Sequence, residues 1–155
     1  MRVEQIKVDE LDLRQPLGRH LVLLFRAFED DLIAAARKAG FDDITVSDLQ
    51  IMHFIDPKGS LATDISKRAG ITKQAVGKAV TSLVERGYLR RQDDPDDARA
   101  KVIVLSDRGR KLFDAGVKAI QKIELRYENA IGKKTFQSLK ASLASLLKLH
   151  PLNDD

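Results

Sequence analysis

The chain has no cysteine among its 155 residues, which excludes a disulfide framework, a thiolate metal site and any thiol-based redox switch. It has no apolar run near the roughly eighteen residues a membrane span needs, and no charged segment leading into the apolar core of a signal peptide. The expected compartment is therefore the cytoplasm, with no membrane partner. Glycine-rich repeats, low-complexity tracts and long linkers are absent, so no domain boundary is placed inside the chain and 1–155 is read as one domain. The three histidines, His20, His53 and His150, are scattered over separate segments and form no HExxH or comparable pair, so no metal is expected. No Ser-His-Asp ordering, paired buried carboxylates or phosphate loop stands out, and the chain reads as a non-enzyme without a cofactor.

Hydrophobic residues make up 43% of the chain and charged residues 32%, enough for one well-buried domain and far from a disordered composition. The net charge of +4 is unevenly spread: between Lys58 and Arg91 eight cations face two acids, a local +6 that leaves −2 for the remainder. A concentrated positive segment is the electrostatic footprint of nucleic-acid binding, with a merely solvated charged face as the plain alternative.

That segment coincides with a pattern over 60–105 that reads helix, turn, helix, hairpin. The first helix is expected to start at Ser60 as N-cap and stop at Gly70. A second cap, Thr72, opens a helix whose apolar stripe is Val76, Val80, Leu83 and Val84, ended by Gly87. Its other face carries Lys73, Gln74, Gly77, Lys78 and Thr81, side chains suited to phosphates and base edges in a major groove. Gln74 and Lys78 are candidate base readers; Thr72, Lys73 and Thr81 are phosphate candidates. Gly77 costs about 1 kcal/mol relative to alanine in a helix interior, which points to close backbone approach by DNA or by the preceding helix, or to plain tolerance. Residues 88–92 and 101–105 form the hairpin, joined by a tip rich in aspartate and proline that should project into solvent.

The hairpin pattern Arg91, Pro95, Asp97, Arg99, Leu105, Ser106, Gly109 resembles the wing signature of the MarR family of bacterial transcriptional regulators, with Ser106 where threonine is more usual. The resemblance extends over about 17–149. It implies a mainly α winged helix-turn-helix fold with a short two-stranded β wing, in which 60–105 binds DNA while 16–40 and 106–150 form dimerisation helices. Arg99, at the tip, is the first candidate for minor-groove contact, where a narrow groove concentrates negative potential. Asp97 is expected to orient Arg99 or Arg91 through a charge-assisted pair; Asp93, Asp94 and Asp96 have no role in this scheme.

Outside the winged segment, Pro16 opens a helix with the stripe Leu17, Leu21, Leu24, Phe25, Phe28 and Leu32, ended by Gly40. Thr45 and Asp48 form a capping box for a short second helix. Ser106 caps a long helix with Leu112, Phe113, Gly116, Ile120, Ile123, Tyr127 and Ile131 on one stripe, broken at Gly132. A last helix carries Phe136, Leu139, Leu143, Leu146 and Leu147 and stops at Pro151. Stripes of this length exceed what a small winged domain can cover, so a homodimer is expected. The resemblance further implies a repressor on a pseudo-palindromic, inverted-repeat operator, relieved by a small aromatic or anionic effector; His20 and His53 are the candidates to line its cleft. Two rival readings are a nonspecific architectural DNA binder and a winged-helix module that binds protein.

Overall fold

The computed structural model describes residues 15–94, 97 and 100–150. Its elements run α1 (Leu17–Lys38), α2 (Val46–His53), β1 (Ser60–Leu61), α3 (Ala62–Ala69), α4 (Lys73–Glu85), β2 (Leu89–Asp93), β3 (Lys101–Leu105), α5 (Asp107–Ile131) and α6 (Lys133–Leu147). The fold is mainly α, with a winged helix-turn-helix between long terminal helices.

The helix boundaries follow local chemistry. Pro16 sits one position earlier than the first turn, as N-cap of α1, and its carbonyl accepts the Arg19 N–H. The capping box at α2 is complete: Thr45 Oγ1 accepts the Asp48 N–H at 3.2 Å and Asp48 Oδ2 accepts the Thr45 N–H at 2.8 Å. Two free backbone donors are thereby satisfied. Gly70 ends α3 at φ 66°, a left-handed conformation open to glycine. Thr72 caps α4 through its hydroxyl, which accepts the Ala75 N–H at 3.2 Å, and Ser106 caps α5 by accepting the Gly109 N–H at 3.0 Å. Pro151, the expected stop for α6, lies outside the described residues.

Ser60 departs from the sequence expectation. It is not a helix cap: it pairs with Ile103 as the first residue of β1, so the sheet has three antiparallel strands in the order β1-β3-β2 rather than a two-stranded hairpin alone. The helix begins two residues later, with Leu61 as an N-cap that makes no side-chain cap bond. The Ser60 hydroxyl is used elsewhere, accepting the Asp56 N–H at 3.0 Å and so closing the turn before β1. A two-residue strand leaves no alternation to read, and serine is equally at home in both settings.

One contiguous core joins the winged segment to its neighbours. Ile65 from α3, Val76, Val80 and Leu83 from α4, Tyr88 and Leu89 at the head of the wing, and Ile103 from β3 meet Ile51 and Met52 of α2, Ile33 and Ala36 of α1 and Leu112 of α5. Val84 is only partly buried against it. Each fully buried aliphatic side chain here contributes about 1.5–3 kcal/mol of transfer free energy.

The terminal helices are different. Leu17, Leu21, Leu24 and Phe25 of the α1 stripe are exposed, and so are Phe113, Ile120 and Ile131 of α5 and Leu139, Leu146 and Leu147 of α6. Of the α6 stripe, Phe136 alone is buried. Helical periodicity is present at these positions, but nothing among the described residues of the one chain covers them. No helix among the described residues is long and apolar enough to cross a membrane.

Candidate nucleic-acid interface

The apolar stripe of α4 faces inward, so helical geometry turns the opposite face to solvent. Lys73, Gln74, Lys78 and Thr81 are all exposed on it. Gln74, Gly77, Lys78, Thr81 and Arg91 line a shallow depression with Ser82 and Glu85, so α4 and the root of the wing share one surface. The link between them is direct: Arg91 Nη2 on β2 donates to Thr81 Oγ1 at 2.8 Å. Arg91 and Thr81 are therefore partners that fix the angle between helix and wing, a pairing that spacing in the sequence does not reveal.

At Gly77, an added methyl group would meet no other atom within 4 Å. The preceding helix is therefore not the reason for glycine here, and approach by an external partner or plain tolerance remains. Thr72 and Lys73 stand at the N-terminus of α4, where unsatisfied N–H groups and the helix dipole favour anions.

Arg99 lies outside the described residues, together with Pro95, Asp96 and Ala98. Asp97 is exposed and its carbonyl accepts the Ala100 N–H at 2.9 Å, while the Asp94 N–H is accepted by the Ala100 carbonyl at 3.2 Å. Asp93 forms an ion pair with Lys101 across the β2–β3 ladder, which accounts for one member of the acidic cluster.

The basic footprint is smaller than the count of cations suggests. Arg68 is paired with Asp56 at 2.9 Å and Arg86 with Asp48 at 2.6 Å. Of the eight cations between Lys58 and Arg91, those exposed are Lys58, Lys67, Lys73, Lys78, Arg90 and Arg91.

Arg86 instead anchors α4 from behind. Its guanidinium grips the Asp48 carboxylate with both terminal nitrogens, at 2.6 and 3.0 Å, and donates to the Asp43 carbonyl at 2.7 Å. Burial pushes the Asp48 carboxyl up, but bonds from Arg86 and Thr45 outweigh it and hold it below its ordinary range. Beside this pair, the Tyr88 hydroxyl donates to Asp43 Oδ1 at 2.6 Å, and Arg108 of α5 donates to the same oxygen at 2.8 Å while lying 4.3 Å over the Tyr88 ring. The donated hydroxyl is the main reason the Asp43 carboxyl is lowered; burial, with that same bond, pushes the Tyr88 phenol up to about 12. The start of α2, the C-terminal end of α4, the residue leading into β2 and the first turn of α5 are held together at this point. The sequence offers no periodic signal for it.

Behind α4 lies a cleft of about 770 Å³ between α1, α2, α4 and α5, walled by Phe25, Phe28, Leu32, Leu49, Phe54 and Ile120. His53 lines it, its ring packed edge-on against Phe54 with centroids 5.2 Å apart. His20 is half-buried and is not among the lining residues, so the two candidate histidines do not come together. Sequence reasoning missed the three phenylalanines as a group because they come from two distant segments.

A solvent-facing helix beside a β hairpin, both set on one core, defines a winged helix-turn-helix. Residues 42–100 match the model of the MarR family. An uncharacterized protein of Mycobacterium tuberculosis is 21% identical over 98 residues, covering 63% of this chain and 68% of that protein. Among solved structures, the transcriptional repressor CouR bound to a 23-mer DNA duplex superposes with a TM-score of 0.68 at 22% identity, over 84% of this chain and 92% of that one. CouR from Rhodococcus jostii RHA1 bound to p-coumaroyl-CoA gives 0.70 at 20% identity, over 94% and 99%. A MarR transcriptional regulator from Methanosarcina mazei Go1 gives 0.71 at 19% identity, over 85% and 94%. At these identities the likeness is one of fold.

Proposed function

We propose that the protein is a sequence-specific DNA-binding transcriptional regulator. It works as a homodimer on an inverted-repeat operator and represses until a small aromatic effector occupies the cleft behind α4. The observation that carries this reading is the exposed face of α4, where Lys73, Gln74, Lys78 and Thr81 stand together beside the wing root. Similarity in fold to CouR, a transcriptional repressor seen bound to a DNA duplex and bound to p-coumaroyl-CoA, supports both halves of the reading. In this scheme Gln74 and Lys78 read bases, Thr72, Lys73 and Thr81 hold phosphates, Arg91 braces the wing, and Asp97 orients Arg99 toward the minor groove.

Binding-site selection from random-sequence DNA tests it. Inverted repeats with half-sites about 34 Å apart are expected from two recognition helices related by a dyad. Gln74→Ala should relax preference at one or two positions of each half-site. Lys73→Ala should weaken all sequences alike and shallow the log–log salt dependence by about one unit per lost phosphate contact. Arg99→Ala should weaken binding by about 1–3 kcal/mol, most on A·T-rich flanks. Selection that returns no consensus favours an architectural binder, and no DNA binding at all favours the protein-interaction module.

A further inference from the structure

Among the described residues, the lining of the cleft contains no lysine or arginine. Its titratable groups are the His53 imidazole and two carboxylates, Glu29 on α1 and Asp48 on α2, and the carboxylates are not equivalent. Asp48 is already neutralised by Arg86. Glu29 accepts a bond from Gln50 Nε2 at 2.6 Å across the cleft and forms no ion pair with a cation among the described residues. A neutral amide leaves the negative charge of Glu29 uncompensated at an otherwise apolar wall. Phe25, Phe28 and Phe54 add aromatic faces, whose negative quadrupoles attract cations and offer nothing to anions.

From this juxtaposition we infer that the cleft selects an aromatic ligand bearing a cationic or neutral hydrogen-bond-donating group, placed at Glu29, and rejects aromatic carboxylates. The inference rests on the proposed reading of the cleft as an effector site and specifies the ligand's charge. A carboxylate in the same pose would lie against Glu29, with no lysine or arginine in the described lining to receive it, and would lose its hydration. An ammonium would gain Glu29 and the aromatic faces together. The anionic effector that the family resemblance suggests is therefore not the one this lining fits.

Three probes of one shape separate the possibilities: 1-naphthylmethylamine, 1-naphthalenemethanol and 1-naphthoate, each titrated into the 155-residue chain by calorimetry and by loss of binding to its selected DNA. The amine should bind at least fivefold tighter than the naphthoate, with the alcohol between them. Glu29→Gln keeps an acceptor for Gln50 while removing the charge, and should bring the amine down to the level of the alcohol. Ala75→Leu, which narrows the cleft from an exposed position on α4, should abolish binding of all three. Naphthoate as the tightest ligand, or an amine preference unchanged in Glu29→Gln, overturns the charge assignment while leaving the cleft as an effector site. No binding by any probe, or binding that survives Ala75→Leu, overturns the effector reading itself.

Discussion

Gly77 is the residue at which stability and function should separate most cleanly. Its backbone is helical and an added methyl would touch nothing. Gly77→Ala should therefore stabilise the fold by up to about 1 kcal/mol through helix propensity. If α4 lies in a major groove, the same methyl stands between helix backbone and DNA, and operator binding should weaken. Thermal unfolding and DNA titration of the one variant check both; a gain in stability with unchanged DNA binding marks the glycine as mere tolerance. Tyr88, Asp43 and Asp48 carry a second residue-scale expectation, in pH. The carboxyls of Asp43 and Asp48 are lowered by folding, so their contribution is present above the ordinary carboxylate range and lost as pH falls through the depressed folded values. The Tyr88 phenol is raised to about 12, so its contribution is fully present below its ordinary value of 10.0 and lost as pH rises through about 12. Unfolding midpoints should fall on both the acid and alkaline sides, and Tyr88→Phe should blunt the alkaline fall, as denaturant melts across pH would show.

Among the elements, the junction of wing and α5 shows why part of the wing signature is structural. A methyl on Gly109 would collide with the Tyr88 carbonyl oxygen, which also accepts the Ser106 N–H at 3.0 Å. Gly109→Ala must push α5 away from the wing root, and a loss of at least about 1–3 kcal/mol is expected from overpacking against backbone that cannot swing aside. Denaturant unfolding checks it, and a loss of DNA affinity that tracks the loss of stability places the residue in the scaffold and not on the DNA face. What could be read without coordinates divides along the same line. Helices with strong caps or stripes, such as Thr45 to Asp48 or Val76 to Leu83, are legible because the signal is local and periodic. β1 is not, because two residues paired with a strand some forty positions away have no local signature. Neither is the Asp43–Tyr88–Arg108 cluster, or the pairing of Arg91 with Thr81, since charged side chains report their number in a sequence but not their partners. That is also why the count of cations overstates the footprint: Arg68 and Arg86 belong to internal pairs.

For the molecule as a whole, the terminal helices pose the question of what covers them. Leu17 and Leu24 are 59% and 47% exposed, and Leu147 is 68% exposed. Exposed apolar surface repeated along three helices is what a second copy would bury, and α6 has little other purpose, since it contributes only Phe136 to the buried set. Truncation after Gly132 should therefore leave the winged core folded, because the core residues of α2, α3, α4 and the sheet lie elsewhere. It should abolish dimerisation in sedimentation. The consequence for DNA is quantitative. A dimer neutralising about eight phosphates has a log–log salt slope near −7, and a folded monomer on one half-site should show about half of it, with selection returning single half-sites in place of inverted repeats. A truncated protein that stays dimeric and keeps the full slope would move the interface off α6 and leave α1 and α5 to carry it.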